Sequence, residues 1–221
     1  MTAFQKYKEE KEDAKTERKR RILSSAFELF SERGIDSIAI TDIANKAEIG
    51  VASIYRYYET KEQIAINTAI WAWREQADFI FHKISNENYD KLPGIKKIET
   101  ICNVFLDLFL DKPDFLRFIY FFDSYVYRQN IEKQKFAEYE ENIKSIQKKI
   151  VDAIQFGLTD NTIRVPQGFS ENDLYYTMMH SLFSTTQKLS LSEDMLVMNK
   201  DVAAKKQIEL LIKMLLNSIR A

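Results

Sequence analysis

TDIANKAEIGVASIYRYY, Thr41 to Tyr58, reads as a helix, a tight turn and a second helix. Ile43, Ala44 and Ala47 recur at the three-to-four spacing of one helix face. Glu48-Ile49-Gly50 breaks that period, and a glycine at 50 suits the start of a helix or an unusual backbone angle. In the second helix Ile54 and Tyr58 share a face, which leaves Val51, Ala52, Ser53, Tyr55 and Arg56 for other work. Small residues come first and long polar ones follow. A helix entering a DNA major groove needs that order: small side chains let the backbone approach the bases, while Tyr, Arg and Lys reach phosphates. An ordinary αα-corner shows the same spacing, so the pattern alone leaves both readings open.

Working outward, the breakers separate stretches of helical periodicity. The five glycines (34, 50, 94, 157 and 168) and three prolines (93, 113 and 166) all read as junctions. With no alternating strand pattern, this predicts an all-α protein. Upstream, Thr16 to Arg33 carries Ile22, Leu23, Ala26, Phe27 and Phe30 on one face and stops at Gly34. Residues 1–16 alternate Lys and Glu, as a solvated extension of that helix or a disordered arm, with a minor-groove arm as the alternative. Downstream, Thr60 caps a helix from Lys61 to about Ile84. Further helices are expected over 95–110, 114–128, 131–156 (ended by Gly157), 170–191 (opened by a Ser170/Asp173 capping box) and 200–220. On the first of these, Asp107 lies opposite the apolar face and is expected in solvent. Cys102 lies on that face as a packed thiol.

Composition bounds the function. The chain has 221 residues, 45% of them hydrophobic, enough for a substantial core. Its net charge of −1 argues against gross attraction to nucleic acid. Residues 15–62 carry nine Lys and Arg against eight Asp and Glu, so any DNA contact rests on local placement: Arg18 to Arg21 before the first apolar face, Arg56 and Lys61 after the second helix of the motif. A single cysteine excludes an intrachain disulfide and a cysteine-based zinc cluster. The charged N-terminus lacks the apolar core of a signal peptide, and no apolar run reaches the length of a membrane span, so a cytoplasmic location is expected.

Residues 18–64 resemble the N-terminal domain of the TetR-type transcriptional regulators. Arg21-Ile22-Leu23, Ala26, Leu29-Phe30, Gly34, Ile40, Asp42-Ile43-Ala44, Ala47, Ile49, Ser53-Ile54-Tyr55, Tyr57-Tyr58 and Lys61-Glu62 carry the likeness. Glu48 departs from it where the family usually has Gly, and Gly50 where it often has Ser. The resemblance implies an N-terminal three-helix helix-turn-helix domain (1–62, motif about 39–58) and a C-terminal helical effector-binding and dimerisation domain (63–221). It also implies a ligand-responsive repressor that binds a double-stranded operator as a homodimer. On this reading Gly50, Val51, Ala52 and Ser53 approach bases, and Thr41, Tyr55, Arg56, Tyr57 and Lys61 hold phosphates.

Two further expectations concern the C-terminal part. The stripes carrying Tyr175, Met178 and Leu182, and Ile208, Leu211, Leu215 and Leu216, exceed what one partner helix covers, which suggests a subunit contact. The segment from Phe115 to Tyr127 has more rings than one packing face needs, which suggests a cavity between the helices starting near 95, 114, 131 and 170. Phe105, Phe118, Phe122 and Met179 are its candidate walls, and Tyr120, Asp123, Tyr125 and His180 its candidate polar contacts, for a small apolar or aromatic effector. With two distant histidines and no phosphate loop, dinucleotide fingerprint or metal motif, no cofactor, metal or catalytic set is expected. The alternatives are a helical interaction module, or a small-molecule-binding enzyme, without DNA binding.

Overall fold

The computed structural model describes residues 3–192 and 202–221. The chain is all-α. Its helices are α1 (Ala3–Arg33), α2 (Ile40–Ala47), α3 (Val51–Tyr57), α4 (Lys61–Ile84), α5 (Glu87–Asp90), α6 (Gly94–Asp111), α7 (Pro113–Gln129), α8 (Ala137–Thr159), α9 (Glu171–Ser192) and α10 (Ala204–Ile219). They form two compact units: Met1–Ala72 with Phe121–Tyr139, and Trp73–Tyr120 with Glu140–Ala221. The unit that holds the motif thus takes in residues well beyond the division at residue 62 read from the sequence.

In the first unit, Ile22, Ala26, Leu29 and Phe30 of α1 are buried with Ile43, Ala44 and Ala47 of α2 and Ile54 of α3. Gly34 ends α1 at φ 77°, a backbone angle that favours glycine, and its N–H donates to the Phe30 carbonyl at 2.9 Å. Thr60 caps α4 as expected: its hydroxyl accepts the Gln63 N–H at 3.1 Å. Arg128 pairs with Asp36, and Lys135 with Glu62 at 2.7 Å, so the 121–139 segment is tied by charge to the start of α4 and the loop after α1. Phe122 packs against Phe136 and Tyr139. Helix α1 begins thirteen residues before the expected start, as one continuous exposed helix.

In the second unit, α6 packs on α9 and α10, and α9 on α10. Gly157 does not end α8. It lies inside the helix, and a Cβ on Gly94 would come within 2.0 Å of its Cα. The glycine pair therefore serves a close backbone approach of α6 to α8. Asp160 and Thr162 follow and accept the Gly94 and Ile95 N–H groups at 2.8 and 3.0 Å, capping α6 from a distant part of the chain. The hydrogen bond from the Thr162 hydroxyl, with those from the Gly94 and Thr162 N–H groups, holds the Asp160 carboxyl below the ordinary carboxylate range. The Ser170/Asp173 capping box forms, with Ser170 N–H to Asp173 at 2.8 Å and Asp173 N–H to the Ser170 hydroxyl at 3.2 Å. Asp107 is not free in solvent but paired with Lys83 at 2.6 Å. Cys102 is fully buried, and burial pushes its thiol up to about 12.

Candidate nucleic-acid interface

The local chemistry of α2 and α3 explains how the motif is built. Ala39 offers no side-chain cap to α2, and Asp42 compensates by accepting the Ala39 N–H at 2.8 Å. At the other end, Ile49 N–H bonds the Ala44 carbonyl at 3.0 Å and Glu48 N–H bonds Asn45 at 3.2 Å. This is a Schellman termination, with Glu48 in the left-handed region at φ 53°, ψ 43°. That angle is the physical reason a glycine suits the position. The Arg21 guanidinium on α1 bonds the Ala47 carbonyl and lies 3.4 Å from the Glu48 carboxylate, so a cation meets the C-terminal end of the α2 dipole.

Gly50 is the N-cap of α3 with ordinary extended angles, φ −61° and ψ 139°, and a Cβ there would meet nothing within 4 Å. Its use is open space at the helix N-terminus rather than an unusual angle. Ile54 and Tyr58 anchor α3 in the core; burial pushes the Tyr58 phenol up to about 12. Thr41, Gly50, Ala52, Tyr55 and Arg56 are exposed, and Val51, Ser53, Tyr57 and Lys61 are half-buried. Arg56 lies 3.3 Å from the Ser53 hydroxyl and over the Tyr57 ring. Lys61 donates to the Asp36 carbonyl at 3.1 Å, which leaves two of its three donors available. The exposed surface therefore presents small groups on the first turn of α3, bracketed by Thr41, Tyr55 and Arg56. Glu48 stands beside it, 85% exposed in its side chain.

A second candidate site lies in the other unit, a cavity of about 70 Å³. Trp73 and Ile84 of α4, Phe105 and Leu108 of α6, Ile146 and Gln147 of α8, and Met179 and Phe183 of α9 form most of its wall. Among the described residues, no charged side chain lines it. Trp73 and Phe183 meet edge to face at 5.9 Å, and Phe105 and Phe183 at 4.8 Å. Gln76, one turn from both Trp73 and Ile80, is buried, and its Oε1 has no hydrogen-bond partner among the described residues. Of the expected effector contacts, only Phe105 and Met179 reach this cavity. Phe118 is packed in the core of the same unit, whereas Phe122 and Tyr125 are buried in the first unit. Tyr120, Asp123 and His180 are exposed, and His180 lies against Tyr176. The helices starting near 95, 131 and 170 bound the cavity as expected, whereas α7 lends it no residue and α4, which the sequence reading leaves out, takes that place. Ile143, Ile146 and Ile150 of α8 recur at steps of three and four, a spacing that reads as helix packing, and nothing in it distinguishes a partner helix from a void.

The expected dimer residues divide similarly. Tyr175, Met178, Leu182, Ile208 and Leu216 are buried within the protomer, because α6, α9 and α10 cover one another. Leu211 and Leu215 are half-buried, while Tyr176, Leu210 and Met214 are exposed.

Comparison with known proteins adds to this geometry. Residues 22–67 match the family "Bacterial regulatory proteins, tetR family". The chain is 32% identical over 71 residues to the HTH-type negative transcriptional regulator IcaR of the biofilm operon in Staphylococcus epidermidis, a stretch that is 32% of this chain and 38% of that one. It is 26% identical over 91 residues to the HTH-type transcriptional regulator LuxR of Vibrio harveyi, 41% of this chain and 42% of that one. The chain thus spans well under half the length of the curated relatives it matches. Across nearly the whole chain it shares its fold with a Saccharomonospora viridis protein solved in complex with choline: TM-score 0.71, 15% identity, 93% of this chain and 99% of that chain.

Proposed function

Because the chain belongs to the tetR family of bacterial regulatory proteins, we propose that it is a transcriptional repressor that binds a double-stranded operator through α2 and α3. The observation that carries this reading is the first turn of α3. It is open at Gly50 and Ala52, held by Ile54 and Tyr58 behind, and flanked by exposed Thr41, Tyr55 and Arg56. Gly50, Val51, Ala52 and Ser53 approach base edges, while Thr41, Tyr55, Arg56, Tyr57 and Lys61 hold phosphates. A homodimer places two such helices in successive major grooves, through the exposed edge of α9 and α10 at Tyr176, Leu210 and Met214 together with Leu211 and Leu215. The protein acts in the cytoplasm, consistent with the absence, among the described residues, of any helix long and apolar enough to cross a membrane.

The apolar cavity supports an effector. Its wall, uncharged among the described residues, suits a small apolar or aromatic molecule. Such a ligand regulates only by favouring the dimer geometry that does not fit the operator, since equal affinity for both states shifts nothing. The test is selection of duplexes from a random pool with the purified protein, followed by titration. Tyr55→Ala and Arg56→Ala each reduce affinity for every selected duplex, and Ala52 substitutions change sequence preference. Recovery of no duplex would refute the reading. Sedimentation tests the assembly: Met214→Glu shifts dimer towards monomer, and a wild-type monomer at micromolar concentration rules out the interface.

A further inference from the structure

Residues 5–20 take no part in the interface described above, yet they belong to a helix with its charges sorted by face. Residues 5–20 of α1 are all exposed. Lys8, Lys11, Lys15, Arg18 and Lys19 recur at steps of three and four, so they lie on one stripe. Glu9, Glu10, Asp13 and Glu17 fall on the opposite side. That opposite side is largely self-neutralised: Lys6 pairs with Glu10 at 3.9 Å and Arg20 with Glu17 at 2.7 Å. On the basic stripe only Glu12 intrudes, paired with Lys15 at 3.2 Å, and among the described residues Lys11, Arg18 and Lys19 form no ion pair.

The direction of the stripe follows from the helix period. Ile22, Ala26, Leu29 and Phe30, which α1 buries in the unit that holds α2, continue the same stripe in the C-terminal direction. The basic residues are therefore the prolongation of the face that covers the motif. Arg21 marks where that cover ends, since its guanidinium sits on the last carbonyls of α2 and beside Glu48, directly before α3 begins. N-terminal to Arg21 the helix overhangs the turn from which the first turn of α3 projects. At ~1.5 Å per residue the thirteen helical steps from Lys8 to Arg21 span about 20 Å, the length of about six base pairs of duplex at ~3.4 Å each.

We propose that this overhanging helix is a second DNA-contacting element, whose basic stripe lies along the phosphate backbone flanking the bases read by α3. The proposal rests on the DNA-binding reading and extends it. It commits to duplex DNA because the stripe is continuous with the α2–α3 surface and carries charge of the sign that phosphates require, while Tyr7 is the one large apolar side chain that residues 5–20 expose, too little to enter a membrane or fill a protein groove. Contacts of this kind add affinity and orientation without sequence preference.

The test compares wild type with the triple variant Lys11→Ala/Arg18→Ala/Lys19→Ala. Two duplexes are used: the minimal selected operator, and the same operator lengthened by ten base pairs at each end. Circular dichroism and melting should be unchanged, since the three side chains are exposed and form no ion pair among the described residues. On the long duplex the slope of log affinity against log salt should fall by about 2 to 3 for each bound protomer, at roughly 0.9 per phosphate contact. The nuclease footprint should recede by about six base pairs on each side. On the minimal duplex the two proteins should differ little. Equal slopes and footprints on the long duplex overturn the proposal while leaving the function of α3 intact. Binding of wild type, but not the variant, to anionic vesicles without any change on long DNA overturns it in favour of a membrane surface. Failure of wild type to bind either duplex removes the DNA-binding reading itself.

Discussion

Glu48 combines two penalties at one position, and they can be separated. Its backbone is left-handed at φ 53°, which costs an L-residue about 1–2 kcal/mol. Its carboxylate is exposed beside the proposed DNA surface, partly compensated by Arg21 at 3.4 Å. Glu48→Gln removes the charge and keeps the backbone problem; Glu48→Gly removes both. A carboxylate ~8 Å from a phosphate in water is repelled by about 0.5 kcal/mol. Loss of that repulsion raises affinity roughly twofold per protomer, near fivefold for a dimer. Both variants should show this gain, larger at 50 mM than at 150 mM salt because screening lengthens at low ionic strength. Stability should distinguish them. Glycine relieves the left-handed strain but adds about 0.4–1 kcal/mol of unfolded-state entropy, and either variant loses a surface ion pair worth ~0–0.5 kcal/mol. Glu48→Gly should therefore lie between about 0.5 kcal/mol below and about 1.6 kcal/mol above wild type in stability, a rise of at most ~6 °C, and Glu48→Gln should lie slightly below wild type. Fluorescence anisotropy with the selected operator and thermal melting read both quantities. If Glu48→Gln leaves affinity unchanged at both salt concentrations, Glu48 does not face the duplex and the orientation of α3 proposed above is wrong.

Gly94→Ala should lower stability by about 3 kcal/mol or prevent folding, because the new methyl meets backbone 2.0 Å away; Gly157→Ala, whose methyl meets the movable Ile163 side chain at 2.9 Å, should cost about 1 kcal/mol, both read by urea unfolding. The Asp160 carboxyl titrates lower in the folded protein than in the unfolded chain, so its contribution is present above the ordinary carboxylate range and is lost as pH falls through its depressed value. Asp160→Asn should accordingly melt below wild type at pH 7, with the gap closing towards pH 3. Cys102, buried and with its thiol raised to about 12, should resist thiol reagents at pH 8 until the protein is unfolded by denaturant. Gln76→Leu should raise the melting temperature, because it removes a buried acceptor that has no hydrogen-bond partner among the described residues, as read by thermal melting.

What the sequence alone determined is local. The faces of α2 and α3, the Thr60 and Ser170/Asp173 caps and the buried position of Cys102 depend on residues within a few positions of one another, and their spacing carries them. The left-handed angle at Glu48 is local too, although a glutamate there conceals it. Contacts across long stretches of chain were not legible. Gly157 reads as a helix end, yet it sits inside α8 because Gly94, sixty-three residues earlier, needs the space. The rings of α7 read as a cavity wall, whereas Phe115 and Phe118 are packed in one core and Phe122 and Tyr125 in another, and the void is bounded by α4, α6, α8 and α9. Tyr175, Met178, Leu182, Ile208 and Leu216 read as a subunit surface, and α6 provides the cover within the protomer. Periodicity states which face of a helix must leave water. It does not state what covers that face, because a helix of the same protomer, a second copy and a ligand all satisfy the same apolar surface, and only the three-dimensional packing chooses among them.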